Sequence, residues 1–150
     1  MATISIRKNS RNAKRVADMK QMASALNLAY LSNNGYPDSS ASGFGGWACV
    51  SSACTGGWSA RVLNATVDAV MFPAFMASKP TDPLDSTRTL SGYQYDINWG
   101  GGSAPYDSSN LSGGPTLTYA IEAGSVCTYG KTWYQDGTRS ECYVAIDGRF

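Results

Sequence analysis

Residues 11–37 read RNAKRVADMKQMASALNLAYLSNNGYP, and the periodicity of this stretch decides the fold class. From Val16 the apolar positions fall at Val16, Met19, Ala23, Leu26 and Tyr30, spaced three and four residues apart. That spacing is one face of an α-helix, and a neighbouring row of Met22, Ala25 and Ala29 widens it. No Gly or Pro interrupts residues 4–34. Asn33-Asn34-Gly35 then offers residues that tolerate the left-handed conformation with which helices end, and Pro37 blocks resumption. The expectation is one long N-terminal helix over 5–33, amphipathic in its C-terminal half.

The front of this helix is polar and basic. Residues 1–20 carry Arg7, Lys8, Arg11, Lys14, Arg15 and Lys20 against Asp18 alone, a local charge of +5 in a chain whose net charge is +1. Ile6 and Ala13 are its only apolar groups between 5 and 15. A stretch with so little to bury against its own core is either a frayed, solvated helix end or a segment that contacts something else. Arg7, Lys8, Arg11, Lys14 and Arg15 are the candidate contact residues, for other subunits, a membrane surface or nucleic acid.

Downstream, Val62, Leu63, Val67, Val70, Met71, Phe72 and Phe75 mark a second helix over about 60–77, which Pro73 should kink or end. Beyond Pro80 the period changes to two. Tyr93–Ile97 alternates, as does Thr116–Glu122 with Leu117, Tyr119 and Ile121 on one face. Lys131–Gln135 and Glu141–Ile146 flank Asp136-Gly137, a hairpin signal in which Gly would supply φ > 0. The element order predicts an α+β fold. The long helix packs its apolar stripe on a four-stranded antiparallel meander over 92–146, with a connecting region over 34–91. Two Gly-rich stretches, Tyr36–Ser59 and Asn98–Gly114, read as plain connections: neither is followed by the Lys-Ser/Thr of a phosphate cradle.

The chain has 150 residues, enough for one domain with a core and too few for two ordinary ones. It contains no His, which removes Ser-His-Asp and Cys-His catalysis and the commonest metal ligand. Charged residues make up 15%, below the roughly 25% typical of soluble domains. Together these argue against an enzyme. The six cations beyond residue 20 do not cluster, so nucleic acid is an unfavoured partner.

Cys49, Cys54, Cys127 and Cys142 form an even set in a Gly/Ser-rich domain, which favours disulfides and an oxidising compartment. Three pairings are possible, and the Asp136-Gly137 turn favours Cys127 with Cys142. Neither spacing is a zinc knuckle. Asp82, Asp85 and Asp96 fall near the entry to the sheet, where oxygen ligands could hold calcium, although Asp82 before Pro83 also reads as a turn former. No cofactor other than calcium is expected. Asn64-Ala65-Thr66 and Asn110-Leu111-Ser112 match the glycosylation acceptor pattern. Trp47, Trp58, Trp99 and Trp133 read as packing anchors.

With these residues in place, Arg11–Pro37 resembles the exposed half of the N-terminal helix in type IV pilin-like proteins, the family of bacterial pilins and type II secretion pseudopilins. The likeness rests on Arg15, Asp18, Leu26 and Tyr30, then the exit Asn34-Gly35-Tyr36-Pro37. A second segment, Lys79-Pro80-Thr81-Asp82-Pro83 followed by Tyr93-Gln94-Tyr95, resembles the family's Pro-x-Asp-Pro and Tyr-x-Tyr entry to its sheet. The resemblance implies a structural subunit of an extracellular filament, at the cell surface or on the periplasmic side of the inner membrane before assembly. Its implied partners are other copies of the chain, other pilins or pseudopilins, and inner-membrane assembly machinery, with no enzymatic substrate. Within it stand a pilus subunit, which a disulfide-closed C-terminal loop favours, and a secretion pseudopilin, whose calcium site would map loosely onto Asp82 and Asp85. A minor pilin that captures DNA or a surface is the reading from another class. The family opens with a leader and a long apolar segment carrying an early Glu, whereas this sequence begins Met1-Ala2-Thr3. The expectation is therefore a headpiece that does not polymerise by itself, since the apolar area that drives bundling is missing.

Overall fold

The computed structural model describes residues 2–42, 45–58, 61–83, 90–103, 106 and 110–147. Helix α1 spans Ala2–Asn33 without a break. It ends where Asn34 takes φ 54° and the Gly35 amide donates to the Tyr30 carbonyl at 3.2 Å. Asn is one of the few residues that accept the left-handed region at modest cost.

Five antiparallel strands form the main sheet: β1 (Ala48–Cys49), β2 (Tyr93–Trp99), β5 (Gly114–Glu122), β6 (Lys131–Gln135) and β7 (Arg139–Ala145). Their spatial order is β1-β2-β5-β7-β6. The fold is α+β as expected, but the sheet is not a four-stranded meander. The C-terminal strand β7 inserts between β5 and β6 and pairs with β5 from Thr116↔Ala145 to Glu122↔Arg139. Burial explains the exchange. In β7, Ser140, Glu141, Cys142, Val144 and Ala145 are buried, whereas no residue of β6 is. The strand with more surface to hide takes the interior position, and the polar strand takes the edge.

The Gly-rich stretches are also more than connections. Tyr36–Ser59 supplies β1, whose Ala48 and Cys49 pair with Tyr95 and Gln94, and a 3₁₀ turn at Gly56–Trp58. Asn98–Gly114 holds a small ladder of β3 (Gly102–Ser103) with β4 (Asn110–Leu111). The second helix is far shorter than 60–77: α2 is Ala65–Met71. It starts at Asn64, whose side chain accepts from the Thr66 and Val67 amides, and stops before the cis Phe72–Pro73 peptide. Residues 59 and 60 lie outside the described residues. Gly137 does not take positive φ. The Asp136 carboxylate instead organises the β6–β7 turn by accepting from the amides of Thr138 and Arg139.

The core lies between α1 and the inner face of the sheet. Met19, Met22, Ala23, Ala25 and Leu26 meet Tyr93, Tyr95, Leu117, Tyr119, Ile121, Cys142 and Val144. Three tyrosines of that face keep their hydroxyls bonded: Tyr93 donates to Asp18 at 2.8 Å, Tyr95 to the Pro37 carbonyl at 3.0 Å and Tyr119 to the Tyr129 carbonyl at 2.7 Å. Buried phenols need such partners, because an unpaired hydroxyl in an apolar interior is costly. The outer face is covered by Trp58 and Leu90 over Ala120, and by Trp47 against Tyr143.

Candidate interaction surface

Helix α1 presents three distinct faces, and the register of its residues decides which is which. Of the expected packing residues, Met19, Ala23 and Leu26 are buried and Val16 packs at the core's margin. Tyr30 is 44% exposed and stacks its ring on Tyr36 instead. Met22, Ala25 and Ala29 of the neighbouring row are buried as completely as Met19, Ala23 and Leu26.

A second face carries charge inward. Arg15 is fully buried. Its Nε donates to Asp82 Oδ1 at 2.7 Å, Nη1 to Asn12 Oδ1 at 2.7 Å and to Glu122 Oε1 at 3.3 Å, and Nη2 to the Pro83 carbonyl at 2.6 Å. One turn earlier Arg11 grips both oxygens of Glu122, at 2.6 and 2.8 Å. This planar, bidentate geometry is what guanidinium supplies and ammonium cannot. Lys14 pairs with Asp18 at 2.7 Å, and Lys8 donates to the Ala123 carbonyl. The structure thus removes Arg15 from the outward contact surface, since it lies inside the molecule, and Arg11 and Lys8 bond Glu122 and the Ala123 carbonyl, whereas Lys14, paired within α1, stays exposed. Of the five candidates, Arg7 is exposed and makes no ion pair among the described residues. Burial and the neighbouring Asp82 and Asp18 raise the Tyr93 phenol far above its ordinary range.

Asp82 does not fit a calcium ligand. Its Oδ1 faces the Arg15 guanidinium, and its Oδ2 accepts from the Gly92 amide at 2.8 Å. A cation placed there would repel Arg15 while adding no unoccupied carboxylate oxygen. Asp85 lies outside the described residues, and Asp96 binds the Asn98 amide from β2. Among the described residues no group of three or more His, Cys, Asp or Glu is placed to hold a metal ion. The cysteines pair as Cys49–Cys54 and Cys127–Cys142. Asn64 is buried at the α2 cap and donates to Ser42, so it is spent on structure; Asn110 is exposed.

The third face was not singled out by the apolar periodicity. Ile6, Ser10, Ala13, Ala17, Gln21, Ser24, Leu28 and Leu31 are all exposed. They recur every three or four residues and so fall on one line along the helix. That line faces away from the sheet and contains no charge. Ile6, Leu28 and Leu31 are 68, 51 and 77% exposed. Its middle holds the small side chains of Ser10, Ala13, Ala17 and Ser24 with Gln21 among them, and beside the small ones another helix could approach closely. No described helix is long and apolar enough to cross a membrane.

Comparison of the chain with protein-family models, with curated proteins and with solved structures finds no significant match in any of the three.

Proposed function

We propose that this protein is a structural subunit of a type IV pilin-like extracellular filament, joined to other copies through α1. The uncharged outward line from Ile6 to Leu31 carries the reading. The solvent face of a single-domain helix is normally its most charged face, and here the charges sit on the flanks and inside. A line of small residues bounded by Leu and Ile is the composition that lets helices pack side by side. The buried Arg11–Arg15 network supports the same role, because it locks the helix to its headpiece at Glu122 and Asp82 and leaves the opposite side clear. Two disulfides suit a protein that works outside the reducing cytoplasm. A pilus and a secretion pseudopilus would use this line alike. No enzymatic step belongs to the reading, and calcium is not part of it.

The test places charge on the line. In the cells that produce the protein, A17R is expected to abolish incorporation into surface filaments while the purified domain keeps its thermal midpoint. T138R, at the β6–β7 turn, is expected to incorporate normally. Filaments assembled at full yield from A17R would contradict the proposal.

A further inference from the structure

The outer face of the sheet is polar and nevertheless buried. Gln94, Asp96, Thr116, Thr118 and Glu141 are all at most 9% exposed beneath the segment that carries Trp47 and Trp58. Most of these groups have partners. Asp96 accepts from the Asn98 amide, Thr116 Oγ donates to the Gly114 carbonyl at 3.0 Å, and Glu141 accepts from Arg139 at 2.7 Å. Two do not. Gln94 Nε2 and Thr118 Oγ have no hydrogen-bond partner among the described residues, and the two residues are 2% and 1% exposed.

These two residues are direct cross-strand neighbours, Gln94 in β2 opposite Thr118 in β5, with side chains on the same face. Cβ atoms of such a pair stand about 4.5–5.5 Å apart. The longer Gln side chain can therefore place its amide near the hydroxyl without meeting it directly. A buried amide hydrogen and a buried hydroxyl left unpaired are both costly, and native interiors satisfy such pairs with ordered water when no protein group can reach.

From this geometry we infer an internal water site between Gln94 Nε2 and Thr118 Oγ. The water accepts a hydrogen bond from the Gln94 amide and donates one to the Thr118 hydroxyl. Beside it stand Tyr143, the β7 neighbour of Thr118 on the same face, and Trp47, whose ring meets Tyr143. The site explains how a polar sheet face supports a covering segment whose own ladder is only the two residues of β1.

Oxygen-17 magnetic relaxation dispersion, which counts long-lived internal waters, tests it on the purified full chain. T118V is expected to hold one fewer such water than the unsubstituted protein, and T118S, which keeps the hydroxyl, is expected to retain it. Should T118V fail to fold, Q94M reads the same site from its other side and is expected to lose the same water. An unchanged count in a folded T118V or Q94M, or a crystal structure with the Gln94 amide bonded directly to Thr118, would overturn the inference.

Discussion

Arg15 sits four residues before Met19 and seven before Met22, so its register placed it on the buried face from the outset. That signal was legible, and charge obscured it: among six cations in 20 residues, one facing inward reads like the rest. Its partners were not legible, because Asp82 and Glu122 are 67 and 107 residues away and only the tertiary fold brings them together. Removing the central cation of such a network leaves a buried carboxylate without its counter-charge. R15L is therefore expected to cost about 3 to 5 kcal/mol, since Asp82 loses its Arg15 counter-ion in the interior while Glu122 keeps Arg11. Urea unfolding measures it, and a loss below about 1 kcal/mol would show that the network is dispensable. The residue-scale error in the other direction was Gly137. An Asp-Gly pair suggested a left-handed turn, but the Asp136 carboxylate holds the loop without it, and its pKa falls to about 2 because Thr138 and the local amides bond it.

Among the elements, those with strong periodicity were readable and those with two or three residues were not. Helix α1 and the alternating strands β2 and β5 follow from spacing, and β6 and β7 from their places on either side of Asp136-Gly137. β1 has two residues and no period to detect, and the position of β7 between β5 and β6 depends on which strand has more surface to bury. The disulfides join these levels. Cys127–Cys142 ties the segment after β5 to the strand that inserts beside it, whereas Cys49–Cys54 closes a short ring at the sheet edge. Chain-entropy arithmetic gives roughly 3 kcal/mol for the larger loop and roughly 2 kcal/mol for the smaller. The C127S/C142S variant is thus expected to unfold at a lower urea midpoint than C49S/C54S. The reverse order, measured under identical conditions, would mean that the edge strand contributes more than its length implies.

On the scale of the whole molecule, the helix–sheet interface and the outer-face cover both depend on neutral tyrosines. Burial raises the phenols of Tyr93, Tyr95, Tyr119 and Tyr143 above the ordinary value of 10.0. Above pH 10 the unfolded chain releases these protons and the folded chain retains them, so stability is complete below that value and falls as pH rises past it. Each tyrosine contributes a slope of about 1.4 kcal/mol per pH unit. Alkaline titration of the urea midpoint is expected to show a steep decline beginning near pH 10, and Y143F to make it shallower. A midpoint flat to pH 11 would contradict the packing described here. The largest claim concerns the uncharged line on α1. Its residues were all visible in the sequence, but only the fold shows that they point away from the sheet while the cations point elsewhere. The most direct test is a photo-reactive residue at Ala17, introduced in the cells that make the protein, with cross-linked products identified by mass spectrometry. The account predicts ladders of this chain joined to further copies of itself through α1, and none from the same residue at Thr138. Cross-links from Ala17 that contain no second copy of the chain would contradict it.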